Sequence, residues 1–190
     1  MNKQDIAAFF DRCAPWWDAD MVRNEPIIAK ILDNAGICPG VSVLDVACGT
    51  GVLFPDYFAR GAKVTAIDIA PEMAKLAAAK FPQAKVLCGD VEETVFHEQF
   101  DCVMVYNAFP HFPDPEKLVQ TLSRLVKPGG RLSIAHGMSR AALTAHHARA
   151  QQVSIELLHE NELAALMGKW FDVDVVISDE NMYQVAGTRR

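Results

Sequence analysis

The sequence predicts a doubly wound α/β fold, in which a seven-stranded, mostly parallel sheet ends in an antiparallel C-terminal hairpin strand. Three observations predict it. Short apolar runs rich in Val, Ile and Leu alternate with segments of helical periodicity. A glycine-rich turn follows the first of these runs, and only a short polar stretch separates the last two.

The predicted strands are apolar enough to be covered on both faces, which is typical of parallel strands between two layers of helices. They span residues 41–46, 63–67, 85–88, 100–106, 131–135, 171–177 and 182–186. Helices are predicted at 4–12 and 21–32, from about residue 53, and at 71–80, 115–126, 139–158 and 160–169. Because the last two strands form a hairpin, one of them is expected to run antiparallel to its neighbours.

The composition excludes several classes of partner. The formal net charge is -6, so the chain lacks the clustered Lys and Arg that neutralise nucleic-acid phosphates. No apolar run approaches the roughly 20 residues that cross a bilayer, and residues 1–10 do not resemble an export signal. Five dispersed cysteines without a C-x-x-C pair suit a reducing compartment. We therefore expect a cytoplasmic protein with no nucleic-acid and no membrane partner.

A glycine-containing turn, Asp45-Val-Ala-Cys-Gly-Thr-Gly51, lies between the first predicted strand and a helix. Gly49 and Gly51 let the backbone bend sharply and approach a ligand closely, because a side chain there would occupy the ligand's space. Two glycines alone are weak evidence. A strand before them and a helix after them, however, are the setting of a nucleotide-binding turn.

Acidic residues follow the next two predicted strands. Asp68 ends the second strand, about 20 residues beyond the turn, where a carboxylate can accept hydrogen bonds from both ribose hydroxyls of an adenosine. Asp90 comes just after the third strand. Because ligands of open α/β sheets bind outside the carboxyl ends of the strands, the turn and both acids should border one crevice.

These motifs resemble those of the class I S-adenosylmethionine-dependent methyltransferases, a family with a Rossmann-like fold. Residues 43–51 resemble its first motif, and residues 125–132 resemble its turn before the fifth strand. The resemblance implies S-adenosylmethionine as cofactor, with Asp68 on the ribose and with Asp90 and Val91 on the adenine. The full set of expected cofactor contacts is Trp17, Asp45, Ala47, Gly49, Gly51, Asp68, Ile69, Asp90, Val91 and Asn107.

Residues 10–18, Phe-Asp-Arg-Cys-Ala-Pro-Trp-Trp-Asp, resemble the lid segment of the ubiquinone and menaquinone biosynthesis methyltransferases. In that family an aromatic residue covers the methionine end of the cofactor, and Trp17 stands there in place of the more usual Tyr. The alternative is that Trp16 and Trp17 only anchor a helix to the core. With this lid, we expect a single domain divided into an N-terminal helical lid (1–40), a cofactor-binding core (41–137), and acceptor-pocket helices with the final hairpin (138–190).

Four of the six histidines follow the fourth and fifth predicted strands. Because a sulfonium is already an activated electrophile, methyl transfer mainly requires a positioned nucleophile and, where necessary, a base. We predict that His111, His136 and His146, or its neighbour His147, form a catalytic cluster facing a small-molecule acceptor. The alternatives are structural roles for the first two and surface exposure for the others. A metal site is not favoured, because the ligands would be histidines only, without H-x-x-x-H spacing.

Two other functions are compatible with parts of this pattern. A nicotinamide-dependent oxidoreductase also uses a glycine turn and an acid, but Phe54 stands where its G-x-G-x-x-G motif needs a third glycine. A non-catalytic S-adenosylmethionine sensor would keep the binding half alone. A homodimer is a further expectation.

Overall fold

Strands and helices alternate along most of the chain in the computed structural model, which describes residues 2–19, 21–147 and 153–190, and the side chains there except at 144–147. The strands are β1 (Ser42–Val46), β2 (Lys63–Asp68), β3 (Lys85–Cys88), β4 (Phe100–Tyr106), β5 (Val126–His136), β6 (Phe171–Ser178) and β7 (Tyr183–Arg189). The helices are α1 (Lys3–Cys13), α2 (Glu25–Asn34), α3 (Phe54–Ala59), α4 (Pro71–Lys80), α5 (Pro115–Leu125), α6 (Arg140–His147) and α7 (Glu160–Met167).

The strands form one seven-stranded sheet in the order β3-β2-β1-β4-β5-β7-β6. The pairs from β3 to β5 are all parallel, whereas β7 runs antiparallel to both β5 and β6. The order reverses between β1 and β4, so the first strand lies in the middle and its carboxyl end opens onto the crevice between the two halves. The predicted fold class is confirmed.

The core has two layers because successive side chains of a strand point to opposite faces of the sheet. Along β4, Val103 and Val105 pack with α5 and α7, and Cys102 and Met104 pack with α2 and α3. Both faces are therefore covered, which explains why the parallel strands are almost continuously apolar. None of the described helices is long and apolar enough to span a bilayer.

Most helix boundaries lie within two residues of the prediction, and the two that differ by more do so for local and tertiary reasons. Helix α2 begins at Glu25 rather than 21, because the Asn24 side chain accepts a hydrogen bond from the amide of Ile27 and caps the helix. The helix predicted for 139–158 is wrong over 153–158, while residues 148–152 lie outside the described part of the chain. Ser154–Leu158 is not helical, and the amide of Ile155 donates instead to the carbonyl oxygen of Pro110, 2.8 Å away.

The C-terminal hairpin turns where the polar stretch predicted it. The Asp179 carboxylate accepts hydrogen bonds of 2.9 Å from the amides of Asn181 and Met182, which satisfies the backbone of the turn. This hairpin places β7 beside β5 and leaves β6 at the edge of the sheet.

Candidate active site

A cavity of about 600 Å³ lies at the carboxyl ends of the central strands. Its volume is within the range of small-molecule and cofactor sites in proteins. The glycine turn after β1, the residues that follow β2, β3 and β4, and the N-terminal segment of residues 3–23 all contribute to its wall. Of the predicted cofactor contacts, those that line it are Trp17, Ala47, Gly49, Asp68, Ile69, Asp90, Val91 and Asn107.

The turn after β1 adopts backbone conformations that few side chains tolerate. Gly49 and Gly51 have φ angles of 55° and 84°, and Ala47 has 55° although it is not a glycine. A methyl group at Gly51 would lie 2.8 Å from the Phe54 ring, so this glycine allows the helix after the turn to pack closely. At Gly49 the nearest side-chain atom to such a methyl group is Nε1 of Trp17, 3.7 Å away. Backbone strain of this kind often marks a ligand site.

Asp68 ends β2 with both carboxylate oxygens engaged by backbone amides. Gly49 donates to Oδ2 at 2.7 Å and Ala70 donates to Oδ1 at 2.9 Å. Burial raises the pKa of this carboxyl above its usual value, and the two amide donors oppose the rise. Each oxygen keeps a second lone pair, so the carboxylate is oriented and still able to accept hydrogen bonds from a diol.

Asp90, beyond the end of β3, is held by a lysine that the sequence analysis missed. The ammonium of Lys3 binds Oδ2 of Asp90 and Oε2 of Glu92, each at 2.5 Å. Burial would lower the pKa of Lys3, but its hydrogen bonds to the two carboxylates outweigh this and raise it. Lys3 precedes the first strand by nearly forty residues, and no motif marks it, so only the packing of α1 reveals it.

The N-terminal segment crosses the cavity and is anchored on its far side. The Asp18 carboxylate accepts hydrogen bonds from the Thr50 hydroxyl at 2.5 Å and from the ammonium of Lys80 at 2.7 Å. The ring of Phe10 packs edge-on against Trp17, with 5.6 Å between centroids. Trp17 thus faces the glycine turn, where the lid resemblance predicts it, whereas Trp16 lines the mouth and is 68% exposed, so it does not anchor the segment in the core.

The end of β4 forms a second polar wall. Asn107 has a φ of 55°, and its side-chain oxygen accepts a hydrogen bond of 2.9 Å from the amide of Gly137, after β5. The adjacent Tyr106 lines the cavity, and a methyl group at Gly137 would collide with its hydroxyl. Burial raises the pKa of Tyr106, while hydrogen bonding by Asn107 opposes the rise. The sequence analysis did not select Tyr106, because it ends an apolar strand.

Two of the three predicted catalytic histidines, His111 and His136, differ in position: only His111 lines the cavity. His111 lines the cavity, its ring 4.8 Å from that of Phe10 and its Nδ1 2.8 Å from the carbonyl oxygen of Val153. His136 is fully buried in β5 beside Tyr183 and does not line the cavity, because this position of the strand faces the core. His146 lies on α6, and its side chain is outside the described residues. Among the described side chains, no group of three His, Cys, Asp or Glu could hold a metal ion.

Asp45, expected to contact the cofactor, lies beneath the turn and does not line the cavity. It is 3% exposed, and burial raises its pKa to about 8, with the Tyr57 hydroxyl opposing and the charge of Asp68 adding to the rise. Gly51 likewise does not line the cavity, and it shapes the turn by leaving room for the Phe54 ring. The structure therefore gives both residues a supporting position.

Comparison with known proteins agrees with this geometry. Residues 44–134, from β1 to β5, match a family described as a methyltransferase domain. Residues 44–134 are a methyltransferase domain. The match supports S-adenosylmethionine as the cofactor, as predicted, and it does not support the oxidoreductase or sensor alternatives.

Ubiquinone biosynthesis O-methyltransferases are among the curated relatives of this chain. One from Chromobacterium violaceum is 33% identical over 141 residues, which are 68% of this chain and 61% of the relative. One from Xanthomonas oryzae pv. oryzae is 36% identical over 150 residues, which are 70% of this chain and 61% of the relative. The matched regions therefore span about three fifths of these relatives.

Solved structures share the fold at lower identity. The magnesium protoporphyrin IX methyltransferase of Synechocystis, solved with S-adenosylhomocysteine, superposes with a TM-score of 0.78 and 17% identity, covering 100% of both chains. A methyltransferase of Aquifex aeolicus gives a TM-score of 0.68 and 21% identity, covering 86% of this chain and 89% of that one. These similarities establish the architecture.

Proposed function

We propose that this chain transfers a methyl group from S-adenosylmethionine to a small-molecule acceptor in the cavity. The observation that carries the proposal is the convergence of a strained glycine turn, Asp68 and Asp90 on one cavity. Strands β2 and β3 are neighbours, with Asp68 paired to Cys88, so both acids lie at the same edge of the sheet. An adenosine fits these two hydrogen-bond acceptors, because its diol and its amino group are hydrogen-bond donors.

The residues of the cavity have separate roles in this proposal. Asp68 binds the ribose hydroxyls, Asp90 accepts from the adenine amino group, and the amide of Val91 donates to the ring. Trp17 covers the methionine end, opposite Gly49. The remaining proposed contacts are Ala47, Ile69 and Asn107 at the wall, with Asp45 and Gly51 supporting the turn from beneath.

The bound cofactor supplies an electrophilic methyl group, and the chain orients the acceptor and accepts its proton. His111 is the proposed base. Since a carbonyl oxygen only accepts hydrogen bonds, the contact with Val153 places the proton of the neutral ring on Nδ1 and makes Nε2 its basic nitrogen. Tyr106 and Asn107 line the same cavity and offer further hydrogen-bonding groups. Because it lies in the core, we do not propose His136 as a base, and His146 stays a prediction.

The acceptor side of the cavity is mostly apolar. Trp16, Met21, Val22 and Phe112 line it together with the polar residues at the end of β4. We therefore propose a small, largely apolar and aromatic acceptor, and the names of the curated relatives support an oxygen as the methylated atom.

The setting of the activity is also part of the proposal. The excess of acidic residues and the dispersed cysteines support a cytoplasmic protein that does not bind nucleic acid. We propose one domain with a lid at 1–40, a cofactor core at 41–137 and an acceptor region at 138–190. A homodimer is proposed as well, and sedimentation would test it.

Calorimetry and methyl transfer test the function in sequence. The protein should bind S-adenosylmethionine and S-adenosylhomocysteine and ignore reduced nicotinamide cofactor. It should then transfer a tritiated methyl group into catechol or into a component of a metabolite extract. Binding without any transfer would favour the sensor, and a cavity indifferent to both adenosyl compounds would refute the proposal. Asp68→Asn is the control for binding, since it removes charge while preserving shape.

A further inference from the structure

The ammonium group of Lys3 bridges two carboxylates at the end of the cavity that is proposed to bind adenine. The Lys3 nitrogen lies 2.5 Å from Asp90 and 2.5 Å from Glu92, so the two acidic side chains are close neighbours. The Glu92 side chain is 2% exposed and that of Asp90 is 13% exposed. Partly buried carboxylates at this separation repel each other strongly unless a cation lies between them.

A second lysine provides an internal comparison. Lys117, at the start of α5, binds the same Glu92 oxygen at 2.9 Å. Lys3 also binds Asp90 and lines the cavity. Lys117 does neither among the described contacts. The two lysines therefore neutralise the same acid, and only Lys3 also holds the carboxylate that faces the ligand.

The Asp90 carboxylate is fixed at both of its oxygens. Lys3 binds Oδ2, and the backbone amide of Glu92 donates to Oδ1 at 2.9 Å. Two donors on different oxygens restrict rotation of the carboxylate plane. One lone pair on each oxygen is then left for a donor inside the cavity.

We infer that Lys3 is a specificity-determining residue for the purine base: by fixing the orientation of the Asp90 carboxylate, it selects a 6-amino purine over a 6-oxo purine. This rests on the proposed function, in which the adenosyl group lies beside Asp90. A 6-amino group donates to the carboxylate. A 6-oxo group presents an oxygen to it and is repelled.

Binding of two ligands that differ at position 6, and in the proton that the 6-oxo purine carries on N1, tests the inference. Calorimetry compares S-adenosylhomocysteine with its 6-oxo analogue, S-inosylhomocysteine, on wild type, Lys3→Met, Lys3→Arg and Lys117→Met. Wild type should prefer the amino ligand. Lys3→Met should weaken it roughly tenfold, the size of one charge-assisted hydrogen bond, and should change the 6-oxo ligand by less than about threefold. Lys3→Arg should restore most of the preference, and Lys117→Met should leave it within about twofold of wild type.

Several outcomes would overturn the role of Lys3. Equal weakening of both ligands by Lys3→Met would mean that the lysine only anchors α1, and stronger weakening of the 6-oxo ligand would mean that it contacts position 6 itself. An unchanged preference would also refute the inference. A wild-type protein that binds neither ligand would instead refute the proposed function. Thermal unfolding verifies that each variant folds, and Lys3→Gln replaces Lys3→Met if the latter does not.

Discussion

The amide of Gly49 donates a hydrogen bond of 2.7 Å to the carboxylate of Asp68, so the glycine turn after β1 and the end of β2 hold each other. The same carboxylate accepts from Ala70 at the start of α4. The turn after β1, the end of β2 and the start of α4 are thereby fixed around one acid. The proposed ribose contact is organised before any ligand arrives, which lowers the ordering cost of binding.

Gly51→Ala should lower the free energy of unfolding by about 2–4 kcal/mol, since it adds left-handed strain and overlap with the Phe54 ring. Gly129→Ala is the matched control, with a φ of 75° and no atom within 4 Å of the added methyl group. It should cost only about 1–2 kcal/mol of strain. Urea unfolding of both variants measures the difference. Equal costs would show that the Phe54 contact relaxes freely.

Asp45→Asn should stabilise the protein increasingly as the pH rises. Burial raises the pKa of this carboxyl from an ordinary 3.8 to about 8, so below about pH 4 the folded and unfolded chains both hold its proton. Between pH 4 and 8 the unfolded chain loses the proton first, and the wild type loses stability relative to the variant. Denaturation midpoints at pH 4, 6 and 8 measure this gap. A gap that stays constant over that range contradicts the prediction.

Asp101→Asn should show the opposite dependence. Burial alone would raise the pKa of Asp101, but hydrogen bonds from Lys127 and Ser42 outweigh it and hold the pKa at about 2. The stabilisation by the ionised group is full above its unfolded pKa of about 4 and is lost as the pH falls towards 2. Acid unfolding followed by circular dichroism should therefore find the variant less stable at pH 7 and equal to wild type near pH 2. A difference that persists at pH 2 would assign the effect to packing.

His111→Gln and His136→Ala should fail in different ways. The first should reduce methyl transfer at least tenfold while leaving S-adenosylhomocysteine binding within about twofold, as expected for a lost base. The second removes a fully buried ring and should lower the free energy of unfolding by about 2–4 kcal/mol. Kinetics paired with urea unfolding separate the two effects. Normal transfer by His111→Gln would remove this histidine from the mechanism.

The sequence predicts best those features that depend on neighbours along the chain. Strand β4 was predicted with its observed bounds, because an apolar run between polar residues is a local signal. The turn at Gly49 and the acid at Asp68 are likewise recognisable from spacing alone, and the structure places both at the cavity.

Features that depend on distant contacts were not predictable. Residues 154–158 are not helical, and the amide of Ile155 bonds there to Pro110, more than forty residues away in sequence. His136 and His111 look equivalent as residues at strand ends. Strand β5 nevertheless continues one residue beyond the predicted strand, to His136. Because side chains alternate between the faces of a sheet, the imidazole of His136 points into the core. Lys3 has no motif and becomes visible only through its partners.

The contacts of Lys3 and Asp18 fasten residues 2–18 as one wall of the proposed donor site. Their polar anchors are side chains on β-strand exits, the glycine turn and α4, and none of these anchors belongs to the hydrogen-bonded ladder of the sheet. We expect exchange of donor for spent product to require movement of this segment, which would break these ion pairs and the packing of Ile6 and Ala14 without disturbing the strand pairing. A fusion partner or a proteolytic cut at this end would leave the sheet intact and still shorten the residence time of the donor.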